Sequence, residues 1–408
     1  MNANNGKLIN TEDTQIIPIV PSQPTLQQRL QSLERELNTL FLERETLIRL
    51  MTTGLLAKAN GFIGGLPGTG KTALTKALAS AFEGNCFYYL VSRTTVPDEI
   101  IGAIDLIALQ QGKGFVRDLS KGIVNSHIAI LDEGFKGNSA TLNSLLGIIL
   151  DKEFNNGGQI VKSPLNSLWI CSNELPENNE EANLMAFWDR LPLRFWVHEL
   201  SIQGKITLMR RTAGLEAIPT VQTQFSLTEL STLQSEAANI PINDSVIEAI
   251  ALLTQELENK HGLVISSRKH NQLVELIRCY AYSCGETEVD DEHLELLKHT
   301  LWNKPSEQPL IAELLKKFGN PLTEKINLML EAAKTSFQSI PGFDGMERTK
   351  WVTQATSSDT ELKEIEQQFN ELLSQNAQKK ISKKIESALI KVQSYRLSIK
   401  NKILELYK

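Results

Sequence analysis

Residues 65–72 carry the residue types and the spacing of a phosphate-binding loop. They read GLPGTGKT and match the pattern GxxxxGK[ST]. Glycines let backbone N–H groups curl around phosphate oxygens, and the N-terminus of the following helix adds its positive end. Lys71 is expected to reach the β- and γ-phosphates of a nucleotide, and the hydroxyl of Thr72 to bind Mg²⁺. The predicted cofactors are therefore ATP and Mg²⁺, and the predicted cofactor-binding residues of this loop are Gly65, Leu66, Pro67, Gly68, Thr69, Gly70, Lys71 and Thr72.

A second motif, HIAILDE at residues 127–133, could bind the metal ion and activate the attacking water. On its own, an apolar run that ends in two acidic residues is more often structural than functional. Here Asp132 lies 61 residues after Lys71, in a later apolar segment of the same pattern. Asp132 is predicted to hold Mg²⁺, and Glu133 to polarise the attacking water. The two motifs together predict an ATP hydrolase.

Three further polar residues follow apolar segments. Asn173 ends SLWICSN (167–173) and could orient the attacking water, although an Asn at a strand–loop junction is often only a cap. Arg190 and Arg194 lie in DRLPLR (189–194), behind a predicted amphipathic helix. Arginine neutralises charge in the transition state of phosphoryl transfer and can come from a neighbouring subunit. Lone arginines of this kind are otherwise mostly members of surface ion pairs.

The elements that must position these residues alternate between apolar strands and helices. The predicted strands are residues 61–65, 86–91, 127–133 and 167–173, and a helix is predicted over 139–151. Such alternation is typical of a parallel sheet that is buried on both faces. A leucine repeat from Leu26 to Leu40 predicts a preceding helix that continues, with a break near Gly54, towards Lys58.

Past residue 201 the strand patterns fade and helical patterns dominate. The predicted fold class is thus α/β, with a parallel sheet between helices followed by purely helical regions. The predicted domains are a flexible arm at 1–24, a nucleotide-binding core at 25–200, a helical domain at 201–310 and a C-terminal helical module at 311–408. Within that module, apolar residues that alternate by four and three predict a helical hairpin or coiled coil over 358–408.

Charge is spread unevenly along the 408 residues. The chain has 42 Lys and Arg against 48 Asp and Glu, a net charge of −6, which argues against a protein that coats nucleic acid. Residues 361–408 nevertheless hold ten basic and six acidic residues, so this tail is a separate basic module or a solvated helical face. A hydrophobic fraction of 41% excludes overall disorder.

The cysteines and the apolar runs indicate where in the cell the protein is expected to be. Cys86, Cys171, Cys279 and Cys284 lack the spacing of a metal site, so they are expected to be free thiols of a cytoplasmic protein. No apolar run approaches the roughly 18–20 residues that a bilayer span requires. The first residues, MNANNGKLINTEDTQ, lack the basic start and apolar stretch of a signal peptide.

The motifs, in their order and spacing, resemble the MoxR family of AAA+ ATPases, and most of all its RavA-type branch. The resemblance covers roughly residues 26–310 and is carried by GLPGTGKT, ILDEGFKGNSATLNSLLGIILDKEF, CSNELPE and LMAFWDRLPLRFWV. It implies an AAA+ core followed by a helical lid. It also implies two inserts, each a hairpin, at 107–118 and 152–164, that face a central pore.

The resemblance also implies roles for single residues. The matching positions are Lys71 and Thr72 for Walker A, Asp132 and Glu133 for Walker B, Asn173 for sensor 1, Arg190 or Arg194 for an arginine finger that acts across a subunit boundary, and Arg268 for sensor 2. The sequence departs from the family pattern at Gly134, which loosens the start of a helix. It also departs at Leu191 and Pro192, which directly follow Arg190.

The resemblance implies a hexameric ring that hydrolyses ATP at subunit interfaces to remodel a partner protein. That partner often carries a von Willebrand factor A (vWA) domain. The alternative is a nucleic-acid-associated NTPase motor of the same clade, which the acidic body disfavours and which Lys113 and Arg117 in the first insert keep open. A scaffold that binds ATP without hydrolysing it is disfavoured by the complete set of site residues.

Overall fold

The computed structural model describes residues 24–112, 114–176, 182–263, 265–318, 321–340, 348–375 and 379–405. Residues 1–23 of the predicted arm lie outside these ranges. The described ranges contain seven strands: β1 (Gly61–Gly65), β2 (Cys86–Leu90), β3 (Ile128–Asp132), β4 (Glu153–Asn156), β5 (Gln159–Lys162), β6 (Ser167–Ser172) and β7 (Leu193–Val197). Five of them form a parallel sheet in the order β2-β3-β6-β1-β7, and β4 pairs with β5 in an antiparallel hairpin.

Eight helices precede or flank this sheet. They are α1 (Leu26–Leu40), α2 (Glu45–Leu56), α3 (Lys71–Ser80), α4 (Pro97–Ile101), α5 (Leu106–Gln110), α6 (Ser139–Ser144), α7 (Leu146–Leu150) and α8 (Ala182–Trp188). Strand β6 is buried at all six positions, and β3 at its first four. Helices therefore cover both faces of the sheet, as continuous apolar strands require. The predicted fold class is confirmed.

Strand β7 was not predicted, although it forms one edge of the sheet beside β1. The residues before it, Arg190 to Pro192, read as a loop, and Arg194 interrupts the apolar run within it. Arg194 is nevertheless only 1% exposed. A buried charged side chain with internal partners defeats a prediction that rests on apolar pattern alone.

The leucine repeat forms helix α1, which ends at Leu40, and a second helix, α2, follows it. Helix α1 begins with a capping box between Thr25 and Gln28, a motif that stabilises a helix by about 1 kcal/mol. The helix is interrupted between Phe41 and Arg44, not near Gly54 as predicted. Gly54 lies inside α2, where a Cβ would come within 2.8 Å of Cζ2 of Trp169, so this glycine allows close packing and does not end a helix.

The two predicted inserts differ in structure. Residues 152–164 form the expected hairpin, β4 and β5. In the first insert the expected hairpin is reduced to an isolated antiparallel bridge between Ile104 and Arg117, with α5 between them. The helix predicted over 139–151 is likewise divided, at Leu145, into α6 and α7.

A helical region, which we call the lid region, follows β7. It consists of α9 (Ile202–Thr212), α10 (Leu227–Ala238), α11 (Asp244–His261), α12 (Ser267–Ser283), two 3₁₀ segments (Asp291–His299 and Pro305–Glu307) and α13 (Gln308–Phe318). Its buried residues belong to the same hydrophobic core as those of the sheet. The lid region therefore packs directly on the α/β core.

The C-terminal module has a hydrophobic core of its own, formed by α14 (Pro321–Gln338), α15 (Arg348–Gln375) and α16 (Lys379–Glu405). The hairpin predicted over 358–408 corresponds to α15 and α16, to which α14 adds a third helix. The predicted boundary at residue 310 falls inside α13, whose Ile311, Leu314 and Leu315 join the larger core. Among the described residues, no helix combines the length and the apolarity that crossing a bilayer requires.

Candidate active site

The phosphate-binding loop, residues 65–72, leaves the carboxyl end of β1 and runs into α3. Gly68 and Gly70 have φ angles of 79° and 82°, a conformation that glycine adopts without steric cost. A Cβ on either residue would meet nothing within 4 Å. At the start of the loop, by contrast, a Cβ on Gly65 would lie 2.6 Å from the carbonyl oxygen of Val197. The loop is thus an open backbone cradle held tightly against β7.

Lys71 lies in this cradle and is 8% exposed. Its Nζ donates to the carbonyl oxygens of Gly65 and Leu66 at 2.7 and 2.9 Å, and to Oδ1 of Asn173 at 2.9 Å. Burial lowers the pKa of Lys71, and the nearby Cys171 and two carboxylates partly oppose that shift. The ammonium group therefore sits in a partly desolvated position, where its charge acts strongly on a bound anion.

Thr72 and Asp132 meet at the predicted metal position. Oγ1 of Thr72 donates to Oδ2 of Asp132 at 2.8 Å. The hydroxyl of Tyr88 lies 3.3 Å from the same carboxylate oxygen, and Nζ of Lys76 lies 3.3 Å from the centre of the Tyr88 ring. The two residues that the sequence predicts to bind Mg²⁺ are therefore adjacent, with an aromatic hydroxyl beside them.

Glu133 adopts a left-handed backbone conformation, with φ of 54°, and non-glycine residues in this region cluster at functional sites. Nδ2 of Asn173 donates to its Oε1 at 3.1 Å, and Nζ of Lys136 lies 3.3 Å from Oε2. The following Gly134 is required by packing, because a Cβ there would lie 2.6 Å from Cγ2 of Ile170. Asn173 thus touches both the lysine of the loop and the glutamate predicted to activate water.

Arg190 lies near the amino end of β1, whereas the residues described so far lie at the carboxyl ends of the strands. Its carbonyl oxygen accepts a bond of 3.3 Å from the side chain of Asn60, the residue just before β1, whereas Lys71 follows the other end of that strand. Five residues at about 3.3 Å each separate these two ends by roughly 16 Å. Nη1 of Arg190 donates to the carbonyl of Ala186, and Nε is buried without a hydrogen-bond partner in the described chain. The side chain cannot serve the Lys71 site of its own chain.

Arg194, the second arginine of the predicted finger pair, is an internal residue. Its guanidinium donates to the carbonyl oxygens of Leu191, Trp188 and Trp302 and to Oδ1 of Asn303. It also stacks on the ring of Trp188 at 4.2 Å, and burial lowers its pKa. These internal contacts favour Arg190 over Arg194 as the finger, and the choice between the two arginines stays a prediction. Arg194 joins β7 to the lid region.

Arg268 is exposed in the first turn of α12. Within the described ranges, no hydrogen bond or ion pair joins it to residues 65–72. The next residue, Lys269, is buried, and burial places its pKa well below the usual value. The structure therefore does not bring Arg268 into the cluster, and its sensor 2 role stays a prediction.

Comparison with known proteins identifies the family to which this chain belongs. Residues 28–235 match the model of the MoxR domain in MoxR–vWA–β-propeller ternary systems, and residues 245–315 match that of an AAA lid domain. The chain belongs to the MoxR family of AAA+ ATPases. The predicted resemblance is confirmed at this level, and the RavA-type branch stays a prediction.

Individual proteins are also similar to this chain. Two uncharacterised proteins of Methanocaldococcus jannaschii are each 34% identical, over 74% and 71% of this chain and 77% and 76% of their own lengths. A crystal structure from Cytophaga hutchinsonii, described as that of a candidate ATPase, has a TM-score of 0.59 at 17% identity. It covers 72% of this chain and 94% of its own, and at this identity it supports the fold alone.

The cluster in this MoxR chain fits ATP and Mg²⁺ chemically. The open glycine cradle offers backbone N–H groups, and Lys71 offers an ammonium group, to phosphate oxygens. Thr72 and Asp132 offer two oxygen ligands, and Mg²⁺ keeps most of its other positions for water and phosphate. Among the described residues, there is no group of three or more His, Cys, Asp or Glu that could hold a metal ion.

Two residues of the MoxR site escaped the sequence analysis, namely Tyr88 and Lys136. Lys136 follows Glu133 by three residues, so the local spacing DEGFK could have indicated an ion pair. Tyr88 comes from β2, and its contact with Asp132 depends on the pairing of β2 with β3. That pairing leaves no local sequence pattern.

Proposed function

We propose that this chain hydrolyses ATP in the presence of Mg²⁺. The observation that carries the proposal is the contact of Asn173 with both Lys71 and Glu133, beside the Thr72–Asp132 pair. Phosphoryl transfer to water requires a cation on the phosphates, ligands for the metal and a group that orients the water. Side chains suited to each of these tasks lie in one cluster at the carboxyl ends of the sheet strands, and this supports the proposal.

Each residue contributes one step. Bound Mg²⁺·ATP supplies the phosphoanhydride bond and the charge that neutralises its oxygens. Lys71 would exchange its carbonyl partners for phosphate oxygens, and Thr72 and Asp132 would hold the metal. Glu133 would accept a hydrogen bond from the attacking water and take its proton. The bond between the γ-phosphorus and the ADP oxygen would break as the water oxygen bonds to the phosphorus, so that ADP and phosphate leave. Asn173 holds Glu133 Oε1 in place and keeps Lys71 aligned.

The finger is proposed to come from a neighbouring subunit. Arg190 and the Lys71 site of the same chain lie at opposite ends of β1. The Nε atom of Arg190 is buried without a hydrogen-bond partner in the described chain. A second copy in a closed ring, which we propose to be hexameric, would bring this guanidinium to the phosphates. Arg268 is proposed to contact the γ-phosphate in cis once the lid region closes.

The work done by hydrolysis is proposed to be the remodelling of a partner protein with a vWA domain. The matching family model describes MoxR domains of systems that combine MoxR, vWA and β-propeller components. The nucleic-acid motor gains no support, because Arg117 is paired with Asp98 at 2.6 Å and Lys113 lies outside the described residues. We place this activity in the cytoplasm on the cysteine pattern given above.

Glu133→Gln tests the proposed hydrolysis. Glutamine preserves the shape of the side chain but cannot accept the proton, so ATP should still bind while turnover falls by a factor of about 100 or more. The measurements are equilibrium binding of a fluorescent ATP and steady-state phosphate release. Glu248→Gln, on the exposed face of α11, is the matched control and should turn over normally. Normal turnover by Glu133→Gln would refute the assigned role.

A further inference from the structure

Helix α9, the first helix of the lid region, contacts its own chain through a polar side. At its start, the N–H of Ser201 donates to Oε2 of Glu43 at 2.8 Å. Near its end, Nη1 of Arg211 donates to the carbonyl oxygen of Leu40 at 3.1 Å. Between these contacts, a Cβ on Gly204 would lie 2.6 Å from Oε1 of Glu43. The side of α9 that faces the turn between α1 and α2 thus consists of a glycine and hydrogen-bonding groups.

The opposite side of α9 is apolar and exposed. Ile202, Ile206 and Met209 follow one another at intervals of four and three residues, so they share one side of the helix. At 100° per residue, Gly204 points away from all three. Ile202 is 80% exposed, Ile206 39% and Met209 62%. A surface helix normally buries its apolar side, so α9 has the reverse of the usual orientation.

Leu215 extends this apolar side beyond the end of the helix. It is 71% exposed, and its N–H donates to the carbonyl oxygen of Arg210, in the last turn of α9, at 2.9 Å. The four side chains, which we call the α9 face, are Ile202, Ile206, Met209 and Leu215. Together they present on the order of 500 Å², which is comparable to the largest apolar patch of an ordinary monomer. A patch of this size indicates a docking surface.

The size and the charge of the α9 face disfavour a second copy of the chain as its occupant. A stable protein–protein interface buries about 800 Å² on each partner, which is more than this face offers. Arg210 is exposed beside Ile206 and Met209 on the helix. Two copies that met through this face would bring their Arg210 side chains together, and like charges at an interface are unfavourable. A short apolar segment with nearby acidic residues fits better.

The chain itself contains a segment of this chemistry. Residues 16–20 read IIPIV, the longest apolar run before residue 24, and Glu12 and Asp13 precede them. Proline within the run disfavours a helix and favours extended backbone. The charges of Glu12 and Asp13 are opposite to that of Arg210. Hydrophobicity and charge of this segment therefore both complement the α9 face.

The position of Pro24 places residues 16–20 within reach of the α9 face. Pro24 lies next to the start of α1, and the carbonyl oxygen of Leu40, which Arg211 of α9 contacts, lies at its end. The 15 residues of α1, at 1.5 Å each, separate these ends by about 22 Å. Residues 16–20 precede Pro24 by four to eight positions, a reach of about 13–26 Å in extended backbone. The length of chain matches the distance to be crossed.

We propose that residues 16–20 bind to the α9 face of their own chain and control access to it. The polar side of α9 fixes the helix on the turn between α1 and α2, which leaves the apolar side for this segment. The inference goes beyond the proposed hydrolysis and does not depend on it.

The test measures how fast a thiol on the α9 face reacts in the full chain. Met209→Cys places the thiol on the face, and Leu252→Cys places one at a 52% exposed position on α11 as the control. Labelling by iodoacetamide, followed by peptide mass spectrometry, gives the rate at each introduced thiol. The Met209→Cys thiol should react about tenfold more slowly than the Leu252→Cys thiol, because the bound segment covers it.

Substitutions in the segment identify what covers the thiol. Ile19→Asp, combined with Met209→Cys, should raise the labelling rate about tenfold, since a carboxylate is not stable on an apolar surface. Ile9→Asp makes the same change outside residues 16–20 and should leave labelling slow. Without the reporter thiol, Ile19→Asp should also increase the fluorescence of bis-ANS, a probe that binds exposed apolar surface, and Ile9→Asp should not.

Three results would overturn the proposal. The first is equal labelling of the Met209→Cys and Leu252→Cys thiols, which would show that the face is uncovered. The second is equal behaviour of Ile19→Asp and Ile9→Asp, which would show that residues 16–20 do not cover it. The third is slow labelling that is lost on dilution to nanomolar protein, which would assign the α9 face to a second copy of the chain.

Discussion

Asn173 links the two charged side chains on which the proposed hydrolysis depends. Its amide accepts from Lys71 through Oδ1 and donates to Glu133 through Nδ2, at 2.9 and 3.1 Å. Because an amide carries both a donor and an acceptor, no carboxylate or amine of the same size could satisfy both neighbours. Asn173 is therefore suited to orient the proposed general base, Glu133, without adding charge to the site.

Asn173→Ala should lower kcat by a factor of about 10 to 100, the usual contribution of a group that positions catalytic partners, while leaving the KM for ATP within about threefold. Steady-state phosphate release over a range of ATP concentrations separates the two parameters. Asn370→Ala is the control, since Asn370 is exposed on α15 and bonds only to the backbone of its own helix. A raised KM with an unchanged kcat would contradict the positioning role.

At this scale, the sequence predicts residues whose roles depend on local spacing. Lys71 and Thr72 come from one loop, and Asp132 and Glu133 from one strand end, so each pair shows as a motif. Tyr88 does not, because its contact with Asp132 arises from the pairing of two strands. The catalytic roles of these residues stay predictions until the variants are measured.

Among the elements, strand β7 connects the sheet to the lid region. It adds an edge to the sheet beside β1, and its Arg194 reaches the carbonyl of Trp302 and the side chain of Asn303 in the lid region. A buried guanidinium whose donors are satisfied by carbonyl oxygens is stable, but removing it leaves those oxygens without partners. The strand therefore ties the position of the lid region to the sheet.

Arg194→Met should reduce the free energy of unfolding by about 3 kcal/mol, since several buried carbonyl oxygens would lose their donors. Urea unfolding followed by circular dichroism measures the change. Arg210→Met, on the exposed side of α9, should change stability little. If Arg194→Met kept full stability and lost only hydrolysis, Arg194 would act as a finger after all.

The elements that the sequence analysis misplaced share a physical cause. The break between α1 and α2 falls at Phe41–Arg44, in a stretch without glycine or proline, while Gly54 stays helical because it packs on Trp169. The first insert was expected as a hairpin and contains α5 instead. In each case tertiary packing, which no local pattern records, decides the outcome.

At the scale of the whole molecule, the described residues form two hydrophobic cores, one shared by the sheet and the lid region and one in the C-terminal module. The basic tail predicted from the charge count belongs to the second. Part of its charge is used within the chain, since Lys384 of α16 pairs with Glu292 of the lid region. The uneven charge therefore reflects, in part, an internal contact between the two bodies.

Truncation should separate the two cores. A chain that ends at residue 318 keeps α13, so its thermal unfolding midpoint and its affinity for ADP should remain close to those of the full chain. A chain that ends at 310 loses the buried side chains of Ile311, Leu314 and Leu315, each worth about 2 kcal/mol, and should unfold at a lower temperature. Scanning calorimetry compares the two, and equal midpoints would show that α13 does not stabilise the lid region.

The arrangement of the whole molecule also explains why the proposed site needs a second copy. Lys71 and Glu133 lie at the carboxyl edge of the sheet, and the backbone of Arg190 lies at the amino edge, next to Asn60. One chain therefore carries both parts of the proposed active site, but these parts lie at opposite ends of the strands. A ring would place the amino edge of one subunit against the carboxyl edge of the next.

The most direct test of this shared site is a mixing experiment with two inactive variants. Lys71→Ala should lose nucleotide binding, and Arg190→Ala should bind ATP without hydrolysing it. In a mixture, an intact Lys71 site of one variant can meet an intact Arg190 of the other, so phosphate release should recover to a substantial fraction of the unmodified rate. Phosphate release that stays at the level of the separate variants at every mixing ratio would contradict an active site shared between subunits.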